Sequence, residues 1–152
     1  MTPSDRDPKA CAAHAMDADD EALWLAFSKA AIAAGEFDHR AHLRVAYGLL
    51  CSHEFTEAVA RMRTALRDFL AHHGIEPDEK YHETLTLAWM SAVRLFMDRS
   101  PPMPSSRAFL RANPRLLDAG IMGIHYSPER LFSDSARASF VAPDRAPLPV
   151  FS

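Results

Sequence analysis

The stretch Glu36-Phe37-Asp38-His39-Arg40-Ala41-His42 sets two imidazoles three residues apart. On a helix that spacing projects both rings from nearly one side, where together they could grip one ion. Neutral imidazole nitrogen suits Zn, Cu, Ni or Fe, and a pair on one helix needs a carboxylate or histidine from another element to complete the shell. Taken alone, the pair equally fits two hydrogen-bonded histidines at a helix entrance. A second stretch, Tyr81-His82-Glu83-Thr84-Leu85-Thr86, holds groups that could complete a site. His82 precedes Leu85 by three positions, Thr86 by four and Trp89 by seven, so helical periodicity puts it on the buried stripe of its helix. A histidine aimed at a core needs partners. Glu83, turned about 100° around the same helix, could ligate, orient an imidazole or act as a base.

His39, His42 and His82 are therefore the candidate ligands of a divalent transition metal. Glu83 is the fourth ligand or a catalytic general base acting on metal-bound water, in a domain that takes a small-molecule substrate. Two other readings stay open. In one, the cluster is a structural polar network that fixes the register of two packed helices in a non-catalytic module, whose C-terminal cover binds a partner protein. In the other, a metal-free pocket binds a small acid through Arg130 or His42.

Other polar residues have plainer explanations. His72 and His73 sit where a helix ends and complement its negative pole. Glu36 and Asp38 suit a helix start, and His125 and Tyr126 fall in a loop. There is no Gly-rich phosphate loop, nucleophile elbow, zinc-spaced cysteine pair or His-Glu-x-x-His motif. The paired Glu-x-x-His motifs of di-iron bundles fail too, because Glu36 leads to His39 but Glu83 leads to Thr86.

The elements that must position these residues are helices. A first helix begins near Asp19 or Asp20 and carries Leu23, Trp24, Phe27, Ala31 and Ala34 before Gly35. A second starts after an Asp38 N-cap, and a third runs from Thr56 to about His73-Gly74. The fourth spans about Lys80 to Met97 and is stopped by Ser100-Pro101-Pro102. Short capped pieces follow at Ser105 or Ser106, Asn113-Pro114, Ser127-Pro128 and Ser133. No alternating strand pattern and no repeat is present. The expected fold is all-α: a single antiparallel bundle of about four main helices with short C-terminal helices and an extended tail. The expected organisation is a flexible leader over 1–18, a helical domain over 19–142 and a Pro-rich tail over 143–152.

Length and composition bound the function classes. A chain of 152 residues can bury a core unaided, with 48% hydrophobic and 24% charged residues. A net charge of -3 gives no footprint for nucleic acid. Neither a secretory start nor a run of ~18 apolar residues is found, which points to no membrane association and a cytoplasmic address. Cys11 and Cys51 lack partners at metal or redox spacing.

At the same residues the chain resembles a family of small bacterial all-helical proteins. Their running pattern is aromatic-x-His-x-Ala-His-Leu, then Gly-Tyr-His-Glu-Thr-hydrophobic-Thr, then Tyr-Ser-x-x-Arg-Leu, with an ending like Phe-Val-x-Pro-Asp. The matches are Phe37, His39, Ala41, His42 and Leu43; Tyr81 to Thr86; Tyr126, Ser127, Arg130, Leu131 and Ser133; and Ala136, Arg137, Phe140, Val141, Pro143 and Asp144. The resemblance covers about residues 20 to 148. This chain has Phe37-Asp38 where Trp-Thr is common and Lys80 where glycine is common. The resemblance implies that the three histidines and Glu83 belong together and that the leader is dispensable; it implies no reaction.

Overall fold

The computed structural model describes residues 13–149; residues 1–12 of the expected leader and 150–152 of the expected tail lie outside the described residues. Within that span the chain is helical, with no strand among the described residues. The first helix, α1 (Ala18–Ser28), opens on a reciprocal capping box. The Asp20 N–H donates to Asp17, and the Asp17 N–H donates back to the Asp20 carboxylate. The apolar spacing through Ala34 predicts a longer helix than forms. Ala30 turns to a φ of 53°, and the Ala31 N–H closes on Ala26 O at 2.7 Å, so the helix ends there and Gly35 falls in a short 3₁₀ turn, Ala34–Glu36.

The next helix, α2 (His39–Ser52), begins as the sequence predicts, with the Asp38 carboxylate accepting from Ala41 N–H at 2.9 Å. It is followed by α3 (Phe55–His72), which closes at Gly74. The φ of 75° there is open to glycine, and the Ile75 N–H returns to Leu70 O. A single proline-started turn, α4 (Pro77–Lys80), leads into α5 (Glu83–Asp98). The cover consists of α6 (Ser106–Ala112), 3₁₀ segments Pro114–Leu117 and Ala119–Ile124, α7 (Pro128–Leu131) and α8 (Asp134–Ala138). Ser105, Ser127 and Ser133 cap their helices with side-chain oxygens, as their positions before short helical pieces predict.

The four long helices are α1, α2, α3 and α5, and α2 packs on each of the other three as well as on α6. Their shared interior holds Leu43, Tyr47, Leu50, Met62, Met90 and Val93, all fully buried. The segment before α1 is held against them. His14 is buried and donates from Nε2 to Met97 O, its Nδ1 accepts from Met103 N–H, and the Tyr47 hydroxyl donates to Ala15 O. No helix among the described residues is long and apolar enough to cross a membrane.

Candidate functional site

His82 stands one residue before α5, on extended backbone (φ -128°, ψ 102°), where periodicity had placed it on the buried helical stripe. The cause lies upstream: Pro77–Lys80 forms its own turn, leaving Tyr81 and His82 as an extended link. From there the ring bridges two elements. Its Nδ1 accepts from Leu85 N–H at 3.0 Å and so caps α5, while its Nε2 donates to Leu131 O at 2.8 Å, at the end of α7. A carbonyl only accepts, so Nε2 carries the proton and the ring is neutral. Burial holds its pKa below the usual histidine value, in agreement with that geometry.

His39, in the first turn of α2, likewise spends its Nε2 on a distant carbonyl, Leu116 O at 2.9 Å, and its ring meets Trp89 edge-on at 4.5 Å. His42 differs. The residue keeps a partly exposed edge, yet its Nε2 is sealed from solvent and has no hydrogen-bond partner. Burial, reinforced by the neighbouring His39, brings its pKa down to about 4, so the ring is neutral at neutral pH.

Glu83 opens α5 but faces α3. Both Nε and Nη2 of Arg63 donate to it, at 2.9 and 2.6 Å, and the Tyr81 hydroxyl donates at 2.6 Å. This fork holds the Glu83 carboxyl below the usual carboxylate range, while burial pushes the Tyr81 hydroxyl up to about 12.

These commitments correct the expectation of a metal-binding domain, a metal-dependent enzyme and a divalent transition metal cofactor. Among the described residues no group of three or more His, Cys, Asp or Glu side chains is placed to hold a metal ion. The reason is visible in the bonds. His39 and His82 each direct a nitrogen at a backbone carbonyl, His82 uses its second nitrogen as a cap, and Glu83 is taken up by Arg63 and Tyr81.

The three histidines nevertheless share a surrounding. His39, His42 and His82 all line one cavity of about 350 Å³ between the start of α2, the end of α3 and the link into α5; Glu83 is not among its walls. The remaining lining is mostly apolar, with Phe37, Leu66, Phe69, Ile75 and Leu85 as its main surfaces and Lys80 at its edge. Phe37 stacks flat on Phe27 at 4.1 Å and meets Phe69 at 5.4 Å, which fixes that wall. Sequence reasoning missed the contribution of Ile75. Its signal was a single large apolar residue in the otherwise polar connection Ile75-Glu76-Pro77-Asp78-Glu79-Lys80.

The residues of the C-terminal cover act as ties. The Tyr126 hydroxyl donates to Val141 O at 2.7 Å, Ser127 donates through N–H and Oγ to the Asp144 carboxylate, and Arg130 donates to Ala142 O. Thr84, buried at the start of α5, accepts from Val141 N–H and donates to Ser139 O, both at 3.1 Å. Compared with known proteins, the chain matches no family model, no curated protein and no solved structure.

Proposed function

We propose that the cavity at His42 is a metal-free binding site for a small, largely apolar molecule carrying one hydroxyl group. The observation that carries this reading is the His42 Nε2, a buried polar atom with no partner in the wall of a concave apolar site. Leaving a buried polar atom unpaired costs about 1–3 kcal/mol; His73 Nε2 and Arg137 Nε share that state, but of the three residues His42 alone lines this cavity. A neutral imidazole has one donor and one acceptor nitrogen, and a hydroxyl answers either one. The volume lies at the small end of ligand pockets, and the aromatic wall of Phe37 and Phe69 suits a ring. His39, His82 and Glu83 then serve by holding the pocket's elements in place rather than by touching the ligand.

The same reading takes the four long helices as an antiparallel bundle, because only short connections separate α1, α2 and α3. It assigns the chain to the small bacterial helical family, since Phe37, His39, His42 and His82 of that pattern line this pocket and Tyr126 and Ser127 tie the cover. The free Cys51 fits a reducing compartment such as the cytoplasm.

Calorimetric titration at neutral pH with p-cresol and with toluene tests the proposal. Saturable binding of p-cresol is expected, about tenfold tighter than toluene, with the advantage lost in His42→Leu. Equal binding of the two probes, an unchanged p-cresol affinity in His42→Leu, or no binding at all would overturn it.

A further inference from the structure

A second cavity, of about 430 Å³, opens between the C-terminal half of α5 and the cover. Phe96, Ile121 and Leu148 give it an apolar lining, and Arg99 and Arg115 bring two guanidinium groups to it. No aspartate or glutamate is among its lining residues. In a chain of net charge -3, that is a local reversal of sign.

Most other arginines among the described residues are occupied, Arg40 and Arg111 being the exceptions. Arg61, Arg63, Arg67 and Arg107 hold carboxylates, and Arg130 and Arg145 hold backbone carbonyls. Arg99 and Arg115 hold neither among the described residues. Arg99 caps the C-terminal end of α5, where the helix dipole favours a cation. That accounts for one positive charge, but not for a second one beside an apolar cavity without an acid. The cavity is also built rather than incidental. His125 donates from Nδ1 to Ala146 O at 2.9 Å, and the Arg145 and Ala146 N–H groups return to His125 O and Ile124 O, which fixes the strand of chain carrying Leu148.

We infer that this cavity is a binding site for an amphiphilic monocarboxylate, such as a medium-chain acid. The guanidinium groups of Arg99 and Arg115 meet the carboxylate through charge-assisted hydrogen bonds, and the apolar lining takes the hydrocarbon chain out of water. Neither half alone defines the ligand: a purely apolar molecule leaves the arginines unanswered, and a small anion leaves the lining wet.

Calorimetric titration of the full chain with octanoate, octanol and acetate reads each half separately. Octanoate is expected to bind at one site per chain, at least about tenfold tighter than octanol, while acetate shows no saturable binding. Arg99→Ala/Arg115→Ala brings octanoate down to the octanol affinity, and His42→Leu leaves it unchanged. Both arginines are exposed, so the double variant keeps its fold, which its circular dichroism spectrum and melting temperature verify. Octanol binding as tightly as octanoate, full octanoate affinity in the double variant, or loss of octanoate binding in His42→Leu would each refute the assignment.

Discussion

The seam between the start of α5 and the C-terminal cover contrasts with the His42 cavity a few residues away. At the seam, three inward-facing side chains have named partners, although the buried Arg137 Nε of α8 has none: His82 joins Leu85 to Leu131, Thr84 joins Ser139 to Val141, and Tyr126 joins Val141. At the cavity, the His42 Nε2 has none. His82 lines the cavity as well as the seam, so composition does not separate them. The hydrogen bonding of the imidazoles does: both His82 nitrogens are spent, and the His42 Nε2 is not. Paired buried groups fix a fold, whereas an unpaired one lowers stability.

The largest test of this contrast is pH. The folded-state pKa of His42, about 4, lies below the ordinary 6.5 of an unfolded chain, so the unfolded state takes up the proton first. Stability from this residue is complete above pH 6.5, declines as pH falls towards 4 and is flat below that, a loss of about 3 kcal/mol. His82 shifts in the same direction. Urea unfolding of wild type and His42→Leu at pH 7 and pH 4.5 should show a shallower pH dependence in the variant. Parallel curves would mean that His42 is not held neutral.

Next in size is His82→Ala, which removes both a helix cap and the tie to Leu131 O. A destabilisation of about 2 kcal/mol is expected in urea unfolding at pH 7. Removal of His42 at the same pH should cost far less, because Leu leaves no partner stranded, and a change between zero and a gain of about 1 kcal/mol is expected. If the two substitutions proved equally costly, the contrast between seam and cavity would collapse. A smaller loss than that of His82→Ala belongs to Tyr126→Phe, which strands Val141 O for a loss of about 1 kcal/mol and should speed hydrogen exchange at Val141 and Ala142 before it affects the long helices.

The candidate site was half legible from sequence. His39, His42 and His82, which the sequence reading grouped as metal ligands, all line one cavity, but no metal-holding group is found among the described residues. Helical spacing says which side a residue faces, and says nothing about a carbonyl arriving from Leu116 or Leu131, 77 and 49 residues further along the chain. Glu83 illustrates the same limit. Its position on α5 was readable, while its partner Arg63 sits on another helix. Asp20 adds a case in which a local role conceals a tertiary one. Read as a start of the first helix, it is in fact buried and bonded to Ser106 and Arg44. Burial alone would raise its pKa, yet the bonds from Ser106, Asp17 and Arg44 hold it below the usual value.

By itself the sequence determined the all-helical class, the four long helices and most of the caps: Asp38, Ser105, Ser127 and Ser133 each cap through a bond to a backbone N–H three residues ahead. Such bonds need only local chain, so local sequence suffices to read them. The tertiary structure alone decided which histidine nitrogens are spent and which, the Nε2 atoms of His42 and His73, are left over. That outcome depends on how the C-terminal cover meets α2 and α5, a contact set by packing across the whole chain.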